Sequence, residues 1–363
     1  MFLQYLALKL GIATGSDLAQ LCRREYGMRA SIPLWILAEI AIAACDLAEV
    51  IGSAIALNLL FHLPLILGVI ITTLDVLLLL LLQHKGFRYI EALIITLIGT
   101  IAVCFGLEIL FSKPDLFPIL KGFFPTTSIL SDHGMLFIAI GIIGATVMPH
   151  NLYLHSSIVQ TRSFTLDSTG RREAIRFASI DSNIALTIAL LINAAILILA
   201  AATFYRAGRT DVAEIQDAYK LLSPMLGITG ASTLFAVALL AAGQNSTITG
   251  TLAGQIVMEG FLQIRLAPWL RRLLTRLLAV IPAILVIAIA GEGATTKLLL
   301  ISQVILSMQL SFAVVPLVQY TGNAEIMGEF VNARWIRIIG WGMAAIIAGL
   351  NVWLIITQFR SGF

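Results

Sequence analysis

The chain has 363 residues, of which 59% are hydrophobic and only 12% charged, with a mean hydropathy of +0.97 and a formal charge of +3. Soluble domains carry about 25% charged residues, so a compact soluble enzyme is excluded. So is a nucleic-acid binder, which would need a basic stripe. Three scattered cysteines, Cys22, Cys45 and Cys104, exclude a disulfide-stapled secreted domain. Apolar runs of about 20 residues suit a hydrocarbon core about 30 Å thick. The class is an all-α polytopic membrane protein, with one membrane domain over residues 1–363.

In chain order, Phe2 to Ala13 is apolar but too short to cross a bilayer and lacks the charged start and cleavage site of a signal peptide. It reads as the second half of a helix whose first half is missing. Nine full spans are predicted after it, at Ile32 to Phe61, Leu65 to Gln83, Tyr89 to Phe111, Met135 to Val159, Ala178 to Phe204, Ser232 to Leu252, Leu273 to Ala290, Leu298 to Leu317 and Ile336 to Thr357. Alternate loops differ in charge. One set carries Arg23, Arg24, Arg29, Lys85, Arg88, Arg162, Arg171, Arg172, Arg176, Arg265, Arg271, Arg272, Arg334 and Arg337. The other, with the C-terminal tail, carries only Lys113, Lys121, Arg206, Arg209, Lys220, Lys297 and Arg360. Short cytoplasmic loops are enriched in Lys and Arg, which places the first basic loop in the cytoplasm and the C-terminus outside a multi-pass cell-membrane protein.

Ionisable side chains inside a membrane cost several kcal/mol unless paired or wet, so each is a functional candidate. Glu39, Asp46 and Glu49 lie seven and three residues apart, on one face of the first long span. Arg276, inside the seventh full span, is the best candidate partner. These charges read either as anchors between helices or as a path for protons or cations.

The fourth full span carries a proline and then a histidine mid-run, in Gly141-Ile-Ile-Gly-Ala-Thr-Val-Met-Pro-His150. Pro149 removes a backbone donor, so the chain is expected to unwind between Gly144 and Met148. Unwound backbone at membrane depth is tolerated where it lines a cavity, and freed carbonyls there coordinate cations in many transporters. Beside the carbonyls around Ala145 stands Met148, whose thioether is a soft ligand for transition metals. His150 and His155, five residues apart, point to different sides and do not make a zinc pair. His150 reads equally as a proton carrier or a core histidine. Gln303 can place an amide at the midplane or bond between helices. The run from Gly243 to Gly260 is rich in small and hydroxyl residues, which suit close helix packing.

Met148-Pro-His150 continued through Asn151-Leu-Tyr-Leu-His-Ser-Ser157, with Gly243-Gln-Asn-Ser-Thr-Ile-Thr-Gly-Thr251, resembles the Nramp family of divalent metal transporters. Asp46-Leu-Ala-Glu49-Val-Ile-Gly-Ser-Ala-Ile-Ala-Leu-Asn58 resembles that family's third helix, and the likeness runs over essentially the whole chain. The resemblance implies a LeuT-type inverted-repeat fold and proton-coupled import of Mn²⁺ or Fe²⁺ by alternating access. The metal is substrate; no cofactor and no enzymatic activity are implied. Carried over, Met148 gives its sulfur and Ala145 its carbonyl to the metal, Gln303 approaches it in one conformation, and Asp46, Glu49 and Arg276 line the proton route with His150 beside the site. The family's Asp-Pro-Gly-Asn motif on its first helix is absent here. The expectation is therefore a fold incomplete at its N-terminus, lacking the first helix and half of the second, with a neutral half-site for metal. Its alternative is a non-transporting truncated protein or subunit of the same fold. The partners expected are transition-metal ions, protons and the lipid bilayer, with no nucleic acid and a monomer as the default state.

Overall fold

A computed structural model describes residues 1–84, 87–124, 126–127, 129, 132–264 and 266–361; the side chains at 75–84, 87, 90, 133, 268–269, 272, 290, 292 and 357–361 fall outside that description. Lys85 and Arg265, counted above among the loop cations, lie outside the described residues, as does the side chain of Arg272.

Helix α1 (Phe2–Thr14) stops at Gly15, whose φ of 66° only glycine adopts cheaply, and Gly15 N–H closes onto Gly11 O. Helix α2 (Leu18–Tyr26) begins with a capping box in which Asp17 and Gln20 satisfy each other's backbone donors. Next come α3 (Met28–Phe61), α4 (Leu65–His84), α5 (Phe87–Ser112) and the short α6 (Leu116–Gly122). The proline-bearing span divides into α7 (His133–Val147) and α8 (Pro149–Ile158). Helices α9 (Ser168–Thr203), α10 (Ile215–Leu226), α11 (Ala231–Leu262), α12 (Pro268–Ala290), α13 (Thr295–Thr321), α14 (Ala324–Met327) and α15 (Arg334–Ser361) complete the chain.

Each predicted span falls on a helix, but the count of nine crossings is not reproduced. Among the described residues six helical segments are long and apolar enough to cross a membrane. The described parts of α4 and α12 are apolar but too short, and the polar run Gln244-Asn-Ser-Thr247 dilutes α11. Helix α9 also starts ten residues earlier than Ala178, because Asp167 caps it by accepting from Gly170 N.

Helix α3 is the axis of the molecule and packs on α4, α11, α12 and α13. Lipid provides no hydrophobic drive between helices, so small residues that let backbones approach decide this packing. Gly68 of α4 sits against Ala54, where an added Cβ would stand 3.0 Å from backbone, and Gly243 of α11 rests on the Ser53 hydroxyl. The largest buried cluster joins α1, α2, α8, α11 and α13 through residues such as Leu10, Leu21, Tyr153, Phe261 and Leu317. Helix α9 turns Ile180, Ile184, Ile188 and Leu191 outward, a surface suited to hydrocarbon.

Candidate functional site

The break between α7 and α8 is a single residue. Met148 has φ 45° and ψ 94°, a left-handed backbone that a non-glycine residue holds only under constraint. Pro149 then opens α8 at a position where its missing N–H costs nothing. That missing donor is the one the Ala145 carbonyl would meet in a continuous helix. Met148 N donates to Gly144 O at 3.1 Å and Asn151 N to Met148 O at 2.9 Å, so the backbone is satisfied on both sides of Ala145. The Met148 sulfur accepts from Asn151 Nδ2 at 3.4 Å and packs against Ala44 and Cys45 of α3 and Leu306 of α13.

The expected unwinding from Gly144 is corrected here: α7 stays helical through Val147. Gly144 serves packing, since a Cβ there would strike Gln303 O and stand 2.6 Å from Ser307 N. Gln303 is thus held against α7, its amide donating to Ser302 Oγ at 3.0 Å.

One turn beyond Cys45, the charged face of α3 meets α12. Asp46 pairs with Arg276, whose Nη2 also donates to Thr72 O at 2.9 Å and reaches Thr247 Oγ1 at 3.5 Å. Cys45 Sγ donates to Glu49 Oε1 at 3.2 Å, while the buried Glu49 Oε2 has no hydrogen-bond partner among the described residues. A second pair lies seven residues back along α3 and five back along α12: Arg271 Nη2 to Glu39 Oε1 at 2.6 Å, with Trp35 Nε1 donating to the same carboxylate at 3.1 Å. Asp46, Glu49, Arg271, Arg276 and Thr247 line one cavity of about 20 Å³, room for about one water.

One face of α11 carries glycines toward these charges. A Cβ at Gly250 would stand in ordinary contact with the Glu49 carboxylate, 3.7 Å from its nearest oxygen, whereas one at Gly254 would collide with the Arg271 guanidinium at 2.7 Å. With Gly243 they fall at spacings of seven and four, one face of the helix. The small-residue run of α11 thus accommodates the ionic face, a role its composition alone did not reveal. The Glu39–Arg271 pair was also hidden, because the partner of Glu39 lies 232 positions away.

His150 does not join the charged cavity. It is buried on α8, and its Nδ1 has no partner among the described residues. His155 turns elsewhere, its Nδ1 2.6 Å from Gln4 Oε1. Met148 thus adjoins α3 near Glu49 through Cys45, whereas His150 stands apart from Asp46, Glu49 and Arg276.

The Nramp profile, described as natural resistance-associated macrophage protein-like, matches residues 1–357. The chain belongs to the Nramp family. It is 62% identical over 356 residues to a divalent metal cation transporter MntH of Nostoc sp., covering 98% of this chain and 80% of that protein. A protein of the same name from Listeria innocua is 63% identical over 361 residues, covering 99% and 81%. A crystal structure of a point variant of the Eremococcus coleocola manganese transporter superposes with a TM-score of 0.89 at 44% identity, over 97% of this chain and 76% of that one. These matches run nearly end to end in this chain and take in 76–81% of the matched proteins.

Within this Nramp chain, no group of three or more His, Cys, Asp or Glu among the described residues could hold a metal ion. At the break stand the Met148 thioether, a soft atom, and the Ala145 carbonyl, whose helical donor Pro149 lacks. Such a set favours a transition metal over Mg²⁺ or Ca²⁺, which take all-oxygen shells.

Proposed function

We propose that this protein imports divalent transition-metal ions, Mn²⁺ first and Fe²⁺ second, coupled to protons and by alternating access in a LeuT-type inverted-repeat fold. The observation that carries the reading is the break at Met148, which sets a thioether against α3 beside Cys45, the residue bonded to Glu49, next to the Ala145 carbonyl whose helical donor Pro149 lacks. The 62% identity to a named divalent metal cation transporter supports it, as does the likeness to a manganese transporter. Met148 and Ala145 hold the metal, and Gln303, packed on the same helix, approaches it as the helices shift. Protons move along Asp46, Glu49 and Arg276, and His150 tunes the α8 side. The first basic loop faces the cytoplasm and the C-terminus the outside, by the charge bias of the loops.

A non-transporting membrane protein of the same fold is the competing reading, and the neutral donors at the break favour it, because a dehydrated dication prefers an anionic ligand. The two separate in liposomes carrying a metal dye and a pH dye inside. With an imposed acid-outside gradient and inside-negative voltage, Mn²⁺ should enter together with protons. A purified, folded chain that moves neither would leave the non-transporting reading. Metal entry without acidification would retain transport and remove the coupling.

A further inference from the structure

A surface on the connection between α5 and α7 belongs neither to the site nor to a crossing helix. Helix α6 and the turn after it expose Leu116, Phe117, Leu120, Phe123 and Phe124 at 61–78% of their area. At 3.6 residues per turn these positions fall within an arc of about 120°. The turn keeps that geometry, since Phe123 is right-handed helical and Phe124 N closes on Lys121 O at 3.1 Å. Ile119, at the edge of this arc, is partly buried, whereas Pro118 and Gly122 on the opposite side are exposed. The apolar face is therefore left uncovered by the protein itself. Contiguous apolar patches of this kind mark contact with another phase or partner.

What covers the patch follows from its flanks. Helix α5, which ends just before it, is apolar enough to cross a bilayer and exposes Ile95, Val103 and Leu110 along one side. Helix α7, which follows, exposes Met135, Ile138 and Ile142 at helical spacing. The patch prolongs two lipid-facing surfaces at their ends. Exposed Lys113 precedes it and exposed Lys121 stands at the edge of its arc, as cations border the apolar face of amphipathic helices at headgroup depth. We propose that α6 and its Phe123-Phe124 turn form an interfacial foot, lying in the plane of the bilayer with the apolar face about 5–10 Å into the headgroup and acyl boundary. The Asp115–Arg206 ion pair at 3.2 Å ties the start of the foot to the turn after α9, so the foot sets the depth of the outer ends of both α5 and α9.

Spin labels placed by Phe117→Cys, Leu120→Cys and, on the opposite side, Gly122→Cys test this in phosphatidylcholine vesicles. The native cysteines are buried, and labelled parent protein gives the background. Collisions with oxygen should exceed those with a water-soluble nickel chelate several-fold at 117 and 120, and the ratio should invert at 122. Nickel dominating at 117 and 120 would put the face in water and overturn the foot. Low collision rates with both reagents, with dipolar broadening between labels, would overturn it in favour of a second copy of the chain.

Discussion

At the scale of single residues, three side chains carry separable predictions. Met148 is the one soft donor at the break, so Met148→Ala should narrow the preference for Mn²⁺ over Ca²⁺ and Mg²⁺ by roughly tenfold, equivalent to about 1.4 kcal/mol. Competition uptake measures it, and unchanged selectivity would remove the thioether from the metal's shell. Glu49 has one oxygen bonded to Cys45 and one without a hydrogen bond among the described residues, so Glu49→Gln should cut proton movement while metal binding persists. Paired pH-dye and metal-dye traces decide it, and equal loss of both would mean that Glu49 serves structure. Asp17 lies outside the spans, nearly inaccessible, and caps α2 by accepting from Gln20 N at 2.9 Å. Burial, with Glu259 adding to it, pushes its carboxyl up from 3.8 to about 6 against the pull of its backbone hydrogen bonds. A carboxyl raised in the folded state favours folding when protonated. Its contribution is complete below about pH 4 and is lost as pH rises through about 6, a change of about 2–3 kcal/mol. Melting in detergent across that range should show the decline, and Asp17→Asn, which keeps the cap, should flatten it.

At the scale of elements, the α7–α13 contact is set by Gly144. Its place in the chain suggested a hinge, but its neighbours are backbone atoms of α13, which cannot yield as a flexible side chain would. Gly144→Ala should therefore destabilise the protein by about 1–3 kcal/mol through overpacking, and should shift Gln303 with α13. A melting temperature equal to the parent's would show that the two helices separate freely. The break was legible because Pro149 is a local, covalent constraint. Its extent was not, because whether a helix continues up to a proline depends on what packs against its last turn.

At the scale of the whole molecule, Arg276 joins α12 to Asp46 on α3, Thr72 on α4 and Thr247 on α11. Arg276→Ala leaves the Asp46 charge facing a nearly dry cavity and should cost about 3–5 kcal/mol. Adding Asp46→Asn should recover part of that loss, and two independent, additive losses would show that the pair is not coupled. The sequence by itself determined the solvent of this protein, because 12% charge and long apolar runs leave only a bilayer. It also determined where the long apolar helices lie, the kink at Pro149 and the common face of Glu39, Asp46 and Glu49, since each follows from local period or covalent geometry. Only the tertiary structure decided that Asp46 takes Arg276, that Glu39 takes Arg271, that Gly254 of α11 leaves room for the Arg271 guanidinium, and that His150 stands apart from them. Those facts join residues up to 232 positions apart. The spacing of residues along a helix fixes which side chains share a face, but not which neighbouring helix that face meets.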